Sequence, residues 1–395
     1  MTTTLRPAAT TVTAVASIIT SAFLGSVIIT PLYSLYQRKF GFSEITLTLI
    51  YAVYVVGNVA ALLLFGQISD NLGRKRVALP ALGVAGASAL LFIFAQGTAW
   101  LYAGRLLIGL AVGILSGTGT AWLAEQFGPG SRSDATVTAA TANLTGIAVG
   151  PLLAGLLAQY APAPLVLPFL AYLGVLVIVA VAIVRTPDTR QPLVHTLAAL
   201  RVRPRLGVPR DRLRSFAAPA VTGFVTFALG GLYFALIPSI VIRDLHQRNV
   251  AVGGLVVCEL AVVATAGLLL GRRLTPATAM AGGLLCLLPA VALVVAAQAA
   301  QSMGLLLLAA ALGGGAMALG YRGSLEVVNE IAPDDRRAEV VSSYFIACFV
   351  GNSVPVIGIG VLSTLTGPLV ASAIFAGAVS VLSVAALVWH RRTRR

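Results

Sequence analysis

Glu259 lies in the stretch VVCELAVV, near the middle of a run that carries no other charge. A carboxylate in apolar surroundings is either expelled or protonated, because desolvation penalises its charged form. Two kinds of chemistry suit it: carriage of a proton, or capture of a cationic substrate. The plainer alternative is an ion pair with an arginine that only fixes helix packing. Arg105, in RLLIGLAVG, raises the same question with the opposite sign. An arginine at a helix centre costs about 2.5–3.5 kcal/mol on insertion scales. It has to face a cavity or a buried polar partner, or else snorkel to headgroups from the outer part of its helix. Arg322 and Glu326 stand four apart and so share one helical face. They form a self-contained pair, or Arg322 turns into a cavity. Enzyme chemistry has no visible footing. His195, His246 and His390 fall at loops or ends, Cys258, Cys286 and Cys348 lie inside apolar runs, and nothing has the spacing of a metal site or a nucleophile–base pair.

The elements that position these residues follow from composition. Hydrophobic residues make up 58% of the 395 and charged residues 10%, against about 25% charged in soluble domains. That much apolar surface needs a bilayer as solvent. The net charge of +14 is spread as short arginine clusters between apolar runs. It forms no continuous basic face, so nucleic acid is not an expected partner. Runs long enough to cross a bilayer, about 20 residues each, read at 11–34, 44–67, 77–96, 100–124, 135–159 and 163–184. They resume at 215–242, 250–270, 276–297, 303–326, 339–364 and 367–389. The first follows Arg6 much as a signal peptide would, but it continues to Pro31 without a cleavage site and reads as a retained span. If the N-terminus is cytoplasmic, twenty-one arginines and lysines fall in inner segments and four in outer loops, so both termini are expected inside. The spans read as sixth and twelfth carry no charge and suit lipid-facing positions.

An all-α integral membrane fold of twelve helices in two pseudo-symmetric six-helix bundles is therefore expected. The bundles take residues 1–185 and 215–395, with 186–214 as a cytoplasmic linker that is either solvated or a surface helix on anionic headgroups. A weak internal repeat supports two halves. EQFGPGSRSDATV from Glu125 aligns with NEIAPDDRRAEVV from Asn329 at an offset of 204, which also carries Pro151 onto Pro355; Pro31 matches Pro238 at 207. Parallel repeats with a site between them are a transporter architecture.

With these residues in hand, the chain resembles the major facilitator superfamily, and among its members the drug/proton antiporters, over almost its whole length. The stretch GQISDNLGRKR matches that family's signature between the second and third spans through Gly66, Asp70, Gly73, Arg74 and Lys75; Asn71 stands where the family usually has a basic residue. By resemblance these residues lock the cytoplasmic side closed, Asp70 facing the N-terminal end of the eleventh span near Ala338. Plain positive-inside anchoring would explain Arg74 to Arg76, but not Asp70 with two glycines. RLLIGLAVG resembles the second family motif, whose arginine, here Arg105, is linked to proton coupling. GIAVGPLLAG, with Gly146, Gly150, Pro151 and Gly155, resembles the antiporter motif, with Ala154 the one departure. The resemblance implies that its small face packs against the eighth span across the two halves.

These readings imply a secondary active transporter with no catalytic residue and no bound cofactor, exporting small amphipathic molecules, drug-like compounds or metabolites, by proton antiport. A sugar or metabolite facilitator, or a proton-coupled importer of the same superfamily, is the alternative. Proton coupling is assigned to Glu259, Arg105 and Glu326, since the first span has no acid. The cavity lining is assigned to Tyr33, Tyr54, Trp122, Tyr233, Phe234, Tyr321, Arg322 and Tyr344, with Tyr51 among the aromatics. Asn58, Asn143 and Asn352 are expected to hydrogen-bond between helices. The expected partners are a small-molecule substrate, protons and the lipid bilayer. The working unit is a monomer in a bacterial cytoplasmic membrane, an arginine excess over lysine pointing to a GC-rich genome.

Overall fold

The computed structural model describes residues 9–65, 68–128, 131–188 and 206–393; among these the chain is helix and connection, with no strand. The helices are α1 (Ala9–Val27), α2 (Tyr33–Phe40), α3 (Glu44–Phe65), α4 (Ile68–Leu72), α5 (Arg74–Ile93), α6 (Thr98–Phe127), α7 (Arg132–Tyr160) and α8 (Leu167–Arg185). Then follow α9 (Leu213–Ala235), α10 (Ile237–Arg243), α11 (Val250–Leu270), α12 (Pro276–Ala299), α13 (Met303–Ile331), α14 (Arg337–Thr366) and α15 (Pro368–Thr393). Twelve helical segments among the described residues are long and apolar enough to span a membrane. The 30 residues of α6 rise about 45 Å at about 1.5 Å each, more than a hydrocarbon core of about 30 Å requires. The expected linker falls largely on residues 189–205, outside the described residues.

The repeat seen in the sequence has local counterparts. The first span breaks in a single 3-10 turn at Thr30–Leu32, containing Pro31, and resumes as the short α2. The seventh breaks after Ala235 and resumes as the short α10, with Pro238 in its first turn. Proline tolerates a helix start because its missing N–H has no acceptor to lose there. Pro151 and Pro355 sit deep inside α7 and α14, helices of 29 and 30 residues.

By compactness the described chain falls into two units, one of 9–29 with 53–188, the other of Thr30–Ala52 with 206–393. The break and the first turns of α3 thus belong with the second unit, although in sequence they precede the linker. In the first unit α1 packs on α6 and α7, and α5 on α6 and α8. The crossing of α3 and α6 is held close by missing side chains. A Cβ on Gly57 would stand 2.4 Å from the Leu106 carbonyl oxygen, and one on Gly109 would stand 2.1 Å from that of Tyr54. In the second unit α9 packs on α13 and α14, and α12 on α13, where Gly283 meets the Gly320 backbone at 2.3 Å from its would-be Cβ. Small residues do this work in membranes because lipid offers no hydrophobic driving force between helices. Large apolar side chains are turned outward on α8 (Val177, Ile178, Val184) and α15 (Val381, Val384, Val388), as helices bathed in lipid require.

Candidate functional site

In the first unit, Gly73 precedes α5 with φ +95°, a left-handed turn that a side chain would strain. The turn delivers Arg74 inward, 2% exposed. Its guanidinium pairs with Glu125 at the end of α6, at 2.7 Å, and donates to the Ser69 hydroxyl at 2.6 Å. Lys75 reaches the Val184 carbonyl at 2.9 Å, and its backbone N–H the Asp188 carboxylate at 3.3 Å. These partners of the expected cytoplasmic lock all lie in the same unit. Gly66 and the side chains of Asp70 and Ala338 lie outside the described residues.

Arg105 does not snorkel. It is 1% exposed, donates to the Ser26 carbonyl at 2.6 Å and lies over the Tyr54 ring at 4.8 Å. Ser26 is in the last turn of α1, where carbonyls lack helical partners. One guanidinium therefore ties α6 to α1 and α3. On α7, Gly146 and Gly150 are taken up by α1: their would-be Cβ atoms stand 2.4 Å from the Thr20 carbonyl oxygen and 2.7 Å from that of Leu24. The close partner of these two glycines is α1 of the same unit, where the resemblance implied the eighth span. Pro151 and Gly155 are buried beside them. Trp122 is fully buried, its indole N–H without a hydrogen-bond partner among the described residues.

In the second unit, Glu259 on α11 is half-buried and makes no ion pair among the described residues; its Oε2 is buried without a hydrogen-bond partner. The arginine-paired alternative is thereby not realised there. Tyr233 on α9 is fully buried, its hydroxyl also unpartnered among the described residues, and lies within electrostatic reach of Glu259. Phe234, next in the chain, is half-buried and closes over Gly230 with Met317. Tyr33 is fully buried near the break in the first span.

Arg322 resolves towards a self-contained pair. It holds Glu326 at 2.9 Å, donates to the Gly271 carbonyl, and reaches those of Arg272 and Leu274 at 3.3 Å. Its guanidinium caps the end of α11, and Glu326 is the part-exposed partner of that cap. Tyr344 is also committed, sharing a 2.7 Å hydrogen bond with Ser324 in a core of Val328, Val340 and Cys348.

Sequence reasoning passed over two features. Glu125 appeared only in the repeat, because its partner lies 51 residues away and no spacing signals it. The aromatics Phe227, Phe349 and Phe345 run on from Tyr321 as a chain of rings: Phe227 stands 5.7 Å from Tyr321 and 5.9 Å from Phe349, which stacks on Phe345 at 6.3 Å. All four residues are half-buried, and such rings make an apolar wall. Among the described residues, no group of His, Cys, Asp and Glu is placed to hold a metal.

Comparison with known proteins bears on what such a unit does. The sequence model of the Major Facilitator Superfamily matches residues 15–354. The chain is 28% identical over 147 residues to the bacillibactin exporter of Bacillus subtilis (strain 168), a stretch covering 35% of this chain and 36% of that relative. In fold it is similar to a peptide transporter POT solved in complex with sulfate (TM-score 0.79, 15% identity, 97% of this chain and 94% of that one). It is similar also to a bacterial homologue of the human lysosomal transporter Spinster in an inward-facing, unoccupied conformation (0.69, 16%, 96% and 94%). Twelve apolar spans and a family match over most of the length leave one conclusion: the chain belongs to the major facilitator superfamily, a multi-pass membrane transporter of small molecules and not an enzyme.

Proposed function

We propose that this transporter is a proton-driven exporter of small amphipathic molecules, and that Glu259 carries the coupling proton. One observation carries the reading: a carboxylate in an apolar span with a buried, unpartnered oxygen and no counter-ion among the described residues. Such a group is stable when it holds a proton or faces a cation, and it changes state when either leaves. The Tyr233 hydroxyl is the nearby dipole that would answer the change. Arg105 would fix the arrangement of α1, α3 and α6 during the cycle, and the rings around Tyr321 would take the apolar part of the cargo. The two sequence halves would rock to expose a central cavity to each side in turn. The export direction is supported by the antiporter-like run around Pro151 and by the partial match to an exporter. The placement of positive charge along the sequence supports a reading in which both termini would face the cytoplasm, in a bacterial cytoplasmic membrane. The unit is a monomer, and the proton gradient supplies the energy without a bound cofactor.

Transport into everted vesicles under an imposed pH gradient tests this. Acid-lumen-dependent uptake is the expected result, with Glu259→Gln abolishing it while leaving substrate exchange at equal pH measurable. Full active transport by Glu259→Gln would discard the assignment. Flux that ignores the gradient in the unaltered protein would favour a facilitator.

A further inference from the structure

Within the second unit, the end of α15 and the start of α9 form a corner where two spans, Pro368–Arg392 and Leu213–Ala235, finish side by side. Trp389 ties the corner. Its indole N–H donates to the Arg214 carbonyl at 2.9 Å while the residue stays exposed. Arg210, Arg212, Arg214, Arg391 and Arg392 are all exposed here, and Asp211 is the acid within these two stretches. Arg212 pairs with Asp211 at 3.2 Å, a contact that stabilises little with both groups so open to water. Glu339 of α14, which comes up to Gly207, is already paired with Arg336 at 2.7 Å. Arg210, Arg214, Arg391 and Arg392 have no carboxylate partner among the described residues. Other helix ends of this unit differ: Arg243 is held by Glu44 and Asp244, and Arg337 by Asp334 at 2.6 Å.

The apolar surface beside these arginines has a direction. Val381, Val384 and Val388 are exposed at spacings of three and four, which makes one stripe of α15. Arg391 continues that stripe three residues on, and Arg392 stands three beyond Trp389 and shares its side of the helix. On α9 the exposed Leu213 precedes Arg214. An apolar stripe that runs into guanidinium groups has the polarity of a phospholipid, hydrocarbon first and then phosphate. Guanidinium forks take phosphate oxygens in pairs, and an indole with one polar edge suits the headgroup level. A soluble acidic partner would meet the arginines and leave the valines uncovered. We propose that this corner binds one anionic phospholipid, its phosphate held by Arg214, Arg391 and Arg392 and an acyl chain lying along the α15 stripe. The lipid clasps α15 to α9 and stabilises the folded unit by binding it. The site depends neither on the cargo nor on Glu259 and its proton.

The test uses the purified full chain in neutral detergent micelles, titrated with phosphatidylglycerol or phosphatidylcholine. Native mass spectrometry counts lipid on the folded protein, and the melting temperature gives a second readout. Phosphatidylglycerol should bind about tenfold tighter than phosphatidylcholine or better, and should raise the melting temperature. Arg214→Gln, Arg391→Gln and Arg392→Gln should each weaken it about fivefold, and the three together about a hundredfold, one step for each basic side chain beside an anionic headgroup. The three side chains are exposed, so the variants should melt as the unaltered protein does without lipid; were the triple variant to misfold, the single ones decide. Arg272→Gln with Arg273→Gln removes two exposed arginines from the end of another span and should leave binding unchanged. An equal loss there would overturn the site in favour of general attraction to a positive surface. Equal binding of the two lipids, or full affinity in the triple variant, would overturn it outright. Equal stabilisation by glycerol phosphate would do so too, making the corner a site for free phosphate.

Discussion

Arg105→Met separates what a buried arginine does for stability from what it does for transport. Methionine keeps an unbranched side chain of comparable reach and removes the guanidinium. In the folded unit that group gains a charge-assisted hydrogen bond to the Ser26 carbonyl, about 1.5–3 kcal/mol, and a desolvated contact with the Tyr54 ring, about 2 kcal/mol. Against this stands the cost of placing an arginine in a span, about 2.5–3.5 kcal/mol. Roughly 4 kcal/mol against roughly 3 leaves a net contribution of about 1 kcal/mol. The variant should accumulate in the membrane and, in detergent, melt only slightly below the unaltered protein. If Arg105 sets the geometry of the coupling machinery, pH-driven flux per folded molecule should nevertheless fall at least about tenfold, equivalent to about 1.4 kcal/mol. Arg105→Lys is the informative partner, because an ammonium keeps the charge but loses the planar face over Tyr54. Undiminished flux per folded molecule in Arg105→Met would make the residue a clamp and nothing more. Collapse of the folded yield would refute the cancellation itself.

Glu125→Ala leaves Arg74 buried without its carboxylate; breaking a buried pair costs about 3–5 kcal/mol, and because Glu125 is 21% exposed the lower end is expected, read as a clear drop in melting temperature. An unchanged melting curve would show that Arg74 is satisfied by its other contacts. Gly109→Ala pushes a methyl group to within 2.1 Å of the Tyr54 carbonyl oxygen. Overpacking of this kind costs about 1–3 kcal/mol, so a wild-type melting temperature for that variant would contradict the close crossing of α3 and α6.

Much of the fold is legible because the bilayer imposes a simple rule. Every backbone polar group in the hydrocarbon has to be satisfied within its own segment, so apolar runs of sufficient length become helices and little else is permitted. The expected spans consequently fall within a few residues of the observed helices at most ends. Pro31 and Pro238 could be paired in sequence because a proline that breaks a span leaves a mark that apolar substitution does not erase. The site was less legible. Glu44 and Arg243 are 199 positions apart and Tyr51 and Asn352 are 301 apart, and no periodicity connects them. Gly146 and Gly150 announced a close helix approach but not the partner, since a bare backbone face is equally suited to any helix; α1 takes it. Arg322 could be placed on a face with Glu326, but the loop carbonyls it caps depend on where the connection after α11 turns.

The charges in the spans sort themselves by how they are satisfied. Arg74 has Glu125 and Ser69; Arg105 has a helix-end carbonyl and a ring; Arg322 has Glu326 and the end of α11. Each is an arginine, and each is held by partners inside one compact unit. Such a residue can position but cannot signal. Glu259 differs on both counts: it is a carboxylate, able to exist neutral, and one of its oxygens has no partner among the described residues. An apolar span disfavours the charged form of a carboxylate, and on the function proposed above the face of the membrane that Glu259 meets would decide its state. A transporter that draws work from a proton gradient needs one group with that property and a scaffold whose other charges stay fixed; on the function proposed above, Glu259 takes the first role.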